Sequence, residues 1–510
     1  MTPDAVDPIE RWTAKRRRAC LTNALVFFKP AKKFTAAVEI LLTGCLFLYS
    51  PIVLAGEVGQ EACPDNTVPF YRLRIESVTK ASWTRLQIEN PENILTARAK
   101  TFDGTPGGYD VRADKVVMWQ PLSAVKDGRS VGITVDYALA AEAVHRPLSL
   151  HLQTGSMHES QVRVYALVGN TAHLIKEIIH HVEVGGQSID DPLRFSLDLS
   201  QTDMALSCGT AQPMARERLL WAFYYPWYTV EDWSSASLRD HPIEPYESGD
   251  PKVIVEHIES ARRAGIDGFI SSWWGPDSYS DRNLPLLLGL AKERAFRVSL
   301  YFETLADSQG RALSSEKIFD WLAYAIATYR GHPAMMKING KPLIVIWASA
   351  EVPLETWKRI FAKLRTEGLD AVYLAMGYGL QNLEVFDGVH DYGIFESTIS
   401  ELTKIYQLNS RAARSYQLLA DASTPKISVA TVQPGYDERS IQGRKGAFRD
   451  REGGAYYQGT FEAALSSDPD WIFITTWNEW WEHTHIEASQ LNGARYLQIT
   501  NEYARKWKRQ

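Results

Sequence analysis

The chain has 510 residues, of which 45% are hydrophobic and 23% charged, with a net charge of −6. That length holds two or more domains with full cores, and the composition is that of a folded globular protein rather than a disordered or fibrous one. Residues 56–510 carry 47 Lys and Arg against 57 Asp and Glu, a net of −10, which argues against nucleic acid or an anionic lipid surface as a partner drawn by the overall field.

The first 55 residues read as a targeting segment. Arg16, Arg17, Arg18, Lys29, Lys32 and Lys33 precede a largely apolar run from Phe34 to Ala55 whose only charge is Glu39. Val53-Leu54-Ala55 suits a signal peptidase, so the expectation is a signal peptide on an exported protein. An uncleaved membrane anchor is the alternative, because about 20 apolar residues also span a bilayer. Under either reading the bulk of the chain is periplasmic, secreted or membrane-anchored outside the cytoplasm. Cys20 and Cys45 fall in this segment, leaving Cys63 and Cys208. A lone cysteine pair in an oxidising compartment is expected to be disulfide-bonded, with two unrelated buried thiols as the alternative.

Residues 60–212 alternate in short runs: Tyr71–Ile75, Thr84–Ile88, Gly132–Tyr137, Leu148–Leu152, Gln161–Tyr165 and Arg194–Leu199. Period-two patterns between Gly, Asn and Asp turns predict an antiparallel β-sandwich-like domain, bracketed by Cys63 and Cys208. It is either a spacer or a glycan-binding module, and its only tryptophans are Trp83 and Trp119.

From 219 to 510 the pattern changes to buried-strand runs alternating with helical ones. The expected strands are Trp221–Tyr225, Gly268–Ser272, Arg297–Glu303, Pro342–Trp347, Ala371–Ala375, Val389–Phe395, Lys426–Thr431 and Trp471–Thr476. The helix after the sixth is expected over Ser410–Leu419. Eight such repeats in about 290 residues are close to the size of a (β/α)8 barrel. The fold class is therefore α/β, a TIM barrel preceded by an all-β sandwich-like domain. No GxGxxG follows a strand, and neither GxxxxGK[ST] nor GxSxG occurs, which disfavours a nucleotide-binding sheet or an α/β-hydrolase.

Active sites of such barrels gather at the C-terminal ends of the strands. There the chain places Tyr225, Trp227, Trp273, Trp274, Glu303, Tyr392 and, after the eighth strand, Asn478, Glu479, Trp481, Glu482, His483 and Glu487. Aromatic faces stack on the C–H faces of pyranose rings and carboxylates grip hydroxyls, so the rim suits a glycan. Glu479 and Glu482 lie three residues apart among tryptophans. Desolvation and like charge together let one of such a pair keep its proton while the other ionises, as acid and base work requires. The alternative is a solvated turn whose tryptophans merely pack. His483, His485 and Glu482 make a weak zinc pattern with no distant ligand, so neither metal nor cofactor is expected.

From Trp221 to about Ser489 the chain resembles glycoside hydrolase family 99, the endo-α-mannosidase and endo-α-mannanase family, and family-99-like domains. The segments that carry the resemblance are AFYYPWY, AGIDGFISSWWGPDS, YFE, YRGHPAMMKINGKPLIVIW, VQPGYDERS, GGAYYQ and TTWNEWWEHTHIEAS. The resemblance implies that Glu482 is the general acid/base and that Glu479 assists attack by the sugar's own 2-hydroxyl, with net retention. It also implies that Tyr225, Trp274, Glu303 and Tyr392 line substrate subsites. The family's usual EWHEG is EWWEH here, its EPY is Glu303-Thr304-Leu305 and its IEP is Ile486-Glu487-Ala488. The implied function is an exported retaining hydrolase of an α-linked polysaccharide. A transferase or processing factor in surface-polysaccharide synthesis, or a non-catalytic glycan-binding protein, are the alternatives.

Overall fold

The computed structural model describes residues 63–101, 108–155, 159–181, 192–211, 217–306, 310–420 and 426–509. The targeting segment expected over residues 1–55 lies outside them. No helix of the described residues is long and apolar enough to cross a membrane.

Two antiparallel sheets make up most of residues 63–211. One orders its strands Ile94–Thr101, Val131–Ala140, Val68–Thr79, Glu159–Val168, Thr171–His181, and Ser207–Gly209 also pairs with Val68–Thr79. The other orders Leu193–Leu197, Leu148–Thr154, Trp83–Ile88, Lys115–Trp119, Gly108–Arg112. Successive strand side chains point to opposite faces, so a strand such as Leu148–Thr154 has one apolar face to bury. Its Leu148, Leu150 and Leu152 are buried while Ser149, His151 and Gln153 face away. The two sheets cover each other's apolar faces, and Thr84 of one meets Ser160 of the other at 2.8 Å. Five of the six expected runs fall within strands, and the sixth, Arg194–Leu199, outruns its strand by two residues. The strands that pattern missed lack a clean alternation; Thr171–His181, on the sheet edge, exposes both Leu174 and Ile179.

From residue 219 the sheet becomes parallel. Its strands are β1 (Leu219–Tyr224), β2 (Gly268–Trp273), β3 (Arg297–Glu303), β4 (Lys341–Trp347), β5 (Val372–Met376), β6 (Gly388–His390), β7 (Ile427–Val432) and β8 (Trp471–Ile474). Each pairs in parallel with its neighbours, and β8 closes on β1. Strands with a helix layer outside and a packed interior inside have no wet face. Accordingly β1, β2 and β7 are buried at every residue. The helices are α1 (Pro251–Arg263), α2 (Tyr279–Glu293), α3 (Ser315–Tyr329), α4 (Leu354–Thr366), α5 (Ile399–Ser415), α6 (Ala455–Leu465) and α7 (Arg495–Lys508). Only α5 departs far from expectation, starting eleven residues before Ser410. Thr398 and Glu401 form a capping box that satisfies its first amides and fixes that start.

The sandwich lies along the β5–β6 side of the barrel. Arg98 pairs with Glu384 through two bonds of 2.8 and 3.0 Å. Thr96 donates to the Ala412 carbonyl at 3.1 Å and the Val111 amide to Gln381 at 2.9 Å. Arg411 of α5 reaches back to the Glu92 carbonyl at 2.6 Å.

Cys63 and Cys208 are disulfide-bonded, and Cys208 sits opposite Pro69. The bond therefore joins the entry of the sandwich to its exit across a separation of 145 residues. Closing so long a loop is worth roughly 2–4 kcal/mol. Cys208→Ser should lower the denaturant midpoint of the oxidised protein. Under reducing conditions variant and parent should unfold together.

Candidate active site

Strand alternation decides which rim residues reach the barrel interior. Along β1, Trp221, Phe223 and then Tyr225 point inward, whereas Tyr224 points out, stacking on Phe269 at 4.6 Å. Along β2 the inward positions are Ile270 and Ser272. Trp273, expected to touch substrate, therefore lies in the helix layer, where its indole N–H donates to Asp281 at 2.8 Å beside Trp321. That expectation is corrected: the next residue, Trp274, is the one at the rim. Its indole N–H donates to Ser272 Oγ at 2.9 Å, and Ser272 donates in turn to Glu303 at 2.6 Å. This chain holds the β3 carboxylate in place. Trp227 stands between Tyr225 and Trp274, with ring centroids at 4.5 and 6.1 Å, so the three form one aromatic wall.

Glu482 sits on the segment that leaves β8 and is 2% exposed. Tyr225 donates to the Tyr392 hydroxyl at 2.7 Å, and Tyr392 donates to Glu482 Oε2 at 3.3 Å. On the other side Arg444 donates to Glu482 Oε1 at 2.8 Å and to Glu438 at 3.0 Å. Arg444 comes from the excursion after β7, and its side chain is 5% exposed. Tyr436 donates to Glu438 at 2.8 Å, and burial together with the Glu482 charge raises its phenol well above the usual value. Arg444, Glu438 and Tyr436 were not anticipated. Tyr436 and Glu438 fall in the VQPGYDERS segment that carries the family resemblance, which marked the stretch without marking their inward direction; Arg444 lies beyond it on an irregular loop, where no periodicity betrays which side chains turn inward.

Glu479 is fully buried three residues earlier. Its amide donates to Thr476 Oγ1 at 2.8 Å, and its carbonyl accepts from the Thr484 amide at 3.1 Å. Burial, then the Glu479 charge, raises the phenol of nearby Tyr228. Trp481, which replaces the family's histidine, is 7% exposed among the interior aromatics.

Two further expected contacts are spent inside the protein. Asn478 accepts from the Tyr225 amide at 2.8 Å and donates to the Tyr225 carbonyl at 2.9 Å, so it serves as a backbone rung between the ends of β8 and β1. Glu487 accepts from Tyr246 at 3.0 Å and meets His257 of α1 at 3.0 Å, bracing the segment from behind. Neither polar group is directed at a ligand, because backbone and buried partners already satisfy them.

The turn after Glu482 is held by buried groups. Arg451 donates to the carbonyls of His483 and His485 at 2.9 Å each. His485 meets Asp240 at 3.2 Å and stacks on Trp480 at 3.8 Å. His483 occupies the left-handed region at φ 52°, where the family usually has glycine. Among the described residues no three His, Cys, Asp or Glu side chains are placed to hold a metal ion.

A (β/α)8 barrel whose C-terminal rim gathers buried carboxylates and an aromatic wall defines a glycoside hydrolase. The sequence pattern of glycosyl hydrolase family 99 matches residues 231–506, and the chain belongs to that family. It is 27% identical over 324 residues to the human glycoprotein endo-alpha-1,2-mannosidase-like protein, covering 53% of this chain and 68% of that one. The rat glycoprotein endo-alpha-1,2-mannosidase is 24% identical over 324 residues, covering 52% and 67%. The solved GH99 endo-alpha-mannosidase of Bacteriodes thetaiotaomicron superimposes with a TM-score of 0.50 at 25% identity, over 57% of this chain and 97% of that one. The sandwich lies outside the matched residues.

Burial lowers His485 to about 4 and His483 to about 2, Arg451 adding to both, and burial alone lowers His390 to about 4. In the unfolded chain each takes up its proton near pH 6.5. Between that pH and 4 the unfolded state binds more protons, so stability falls as the pH is lowered, by up to about 1.4 kcal/mol per pH unit for each histidine. Asp391, raised by burial to about 6, opposes part of this. The thermal midpoint should drop between pH 6.5 and 4, and less steeply in His485→Gln.

Proposed function

We propose that this glycoside hydrolase is an exported, retaining enzyme that acts on an α-linked polysaccharide or glycan, with Glu482 as general acid/base and Glu479 as the group that activates the sugar's 2-hydroxyl. The observation that carries this reading is the setting of Glu482. It is a buried carboxylate at the rim, fixed by Tyr392 and Arg444, with Glu479 three residues away on the same turn.

In the first step Glu482 gives its proton to the glycosidic oxygen as the bond from that oxygen to the anomeric carbon breaks. Glu479 takes the 2-hydroxyl proton, and the resulting oxygen closes on the anomeric carbon as a 1,2-anhydrosugar. In the second step Glu482, now a carboxylate, takes a proton from water while that water opens the ring at the anomeric carbon. Glu479 returns its proton to the 2-oxygen. Two inversions leave the configuration retained. The intramolecular nucleophile distinguishes this from retaining enzymes in which a second carboxylate attacks directly. The Tyr225–Trp227–Trp274 wall suits the C–H faces of the sugars, and Glu303, steadied by Ser272, suits a hydroxyl pair. Mannose as the sugar is supported by the names of the relatives. Trp481 and His483, standing where the family usually has His and Gly, alter the wall against which that sugar lies.

Glu482→Gln and Glu479→Gln should each lower kcat by about 10²–10⁴-fold, the range of general acid–base contributions, while far-UV spectra stay unchanged. Near-parental turnover in either variant would refute its assigned role. Products made in the presence of excess sugar acceptor separate hydrolysis from transfer, because new reducing ends are expected whereas longer chains would mark a transferase.

A further inference from the structure

The outer face of the five-stranded sheet in the sandwich carries an arrangement that the barrel chemistry does not use. Trp83 and Trp119 are cross-strand partners on that face. Trp119 is opposite Gly108 on one flank, and Trp83 accepts at its carbonyl from the Gly155 amide on the other, at 2.9 Å. A Cβ on Gly108 would fall 2.4–2.7 Å from the Trp119 ring atoms, and one on Gly155 would fall 3.1 Å from Trp83. The Trp119 indole therefore lies over Gly108 with its other face turned outward, and the half-buried Trp83 lies against Gly155 beside it. With strands about 4.8 Å apart, the Gly108–Trp119–Trp83–Gly155 row is a flat strip roughly 14 Å across.

A tryptophan spread over glycine in this way makes little contact with its neighbours' side chains, and Trp119 stays 45% exposed. The surroundings on the same face are polar. Arg85 occupies the next row, aligned with Val117 and Gln153. Lys115 lies one step further along. Two flat apolar rings set among donors do not form the contiguous apolar patch that a protein partner buries. They do match an oxygen-rich polymer with apolar ring faces, for which Arg85 and Lys115 supply complementary donors. The hairpin that carries Trp119 is also bonded to the barrel, through Val111 to Gln381 and through Lys404 of α5 to Asp114. Gln381 lies on the connection from β5 to β6, the strand that Tyr392 follows.

We infer that the Trp83–Trp119 face is a second, non-catalytic glycan-binding site that seats pyranose rings of a polysaccharide on its two indoles and holds the polymer beside the barrel. The inference rests on the family assignment and is independent of the roles given to Glu479 and Glu482. Tethering raises the local concentration of polymer at the barrel without any new contact there, so the site matters for long substrates and not for short ones.

The full chain is run in native gels containing α-mannan, dextran, pullulan or xanthan, and its turnover is measured on a short α-mannoside. At least one polysaccharide should retard the parent, and Trp119→Ala should weaken that interaction about tenfold, the scale of one lost contact of this kind. Trp119→Tyr should keep most of it, whereas Trp119→Leu, apolar without a ring face, should not. Gly108→Val, which drives a Cβ into the ring, should lose it with the indole still present. Short-substrate turnover should be unchanged throughout. Equal retardation of parent and Trp119→Ala, or no retardation of the parent in any of the four gels, overturns the proposal. Glu482→Gln should lower turnover by about 10²–10⁴-fold yet leave the Trp119-dependent retardation intact, so failure of either reading is seen separately.

Discussion

Carboxyl groups buried at the end of a packed barrel have to find their partners in protein, because a polar or charged group taken out of water is too costly to leave unmatched. That requirement organises one whole end of this molecule. Glu303 is met by Ser272, Glu482 by Tyr392 and Arg444, and Glu487 by Tyr246 and His257. Each partner comes from a different element than the acid it serves. The result is a lattice of polar contacts spanning β1, β2, β3, β6, β7 and β8. A glycan approaching this end meets groups already held in place.

The contacts around Glu482 are of two kinds. The Tyr225–Tyr392 hydroxyl pair reaches it through neutral donors, and Arg444 through a charged one that Glu438 shares. A guanidinium bridging two carboxylates is compensated twice, so it is firmly held although its loop is irregular. Arg444 thereby joins the excursion after β7 to the segment after β8. The Arg451 bonds to the carbonyls of His483 and His485 in that segment do the same at its far side.

The parallel barrel was legible because strands buried on both faces read as unbroken apolar runs, and the eight runs from Trp221 to Thr476 are separated by helical stretches of the right length everywhere but between the fifth and sixth, where only the short turn Leu380–Glu384 intervenes. The aromatic rim was legible too, but its sidedness needed the period of two applied to the last residue. Ser272 faces in, so Trp273 must face out, and Trp274 regains the rim only because the strand has ended there. Asn478 looked like a ligand group because an amide's donor and acceptor fit a sugar as well as they fit a peptide unit. Nothing in one sequence says which the fold will offer. Arg444, Arg451 and Asp240 act across long separations from irregular segments, and only tertiary packing brings them to their partners. In the sandwich, Trp83 and Trp119 were visible as residues. Their alignment across two strands, with a glycine on each flank, is a matter of register.

Asn478 takes the place of a peptide unit where β8 meets β1, and those two strands come from opposite ends of the barrel sequence. The rung spans 253 residues. Contacts so distant in sequence carry a large loop-closure cost and are not formed early by local structure. Because Asn478 is the immediate neighbour of Glu479, the bonds that close the cylinder also fix the backbone beside that carboxyl group.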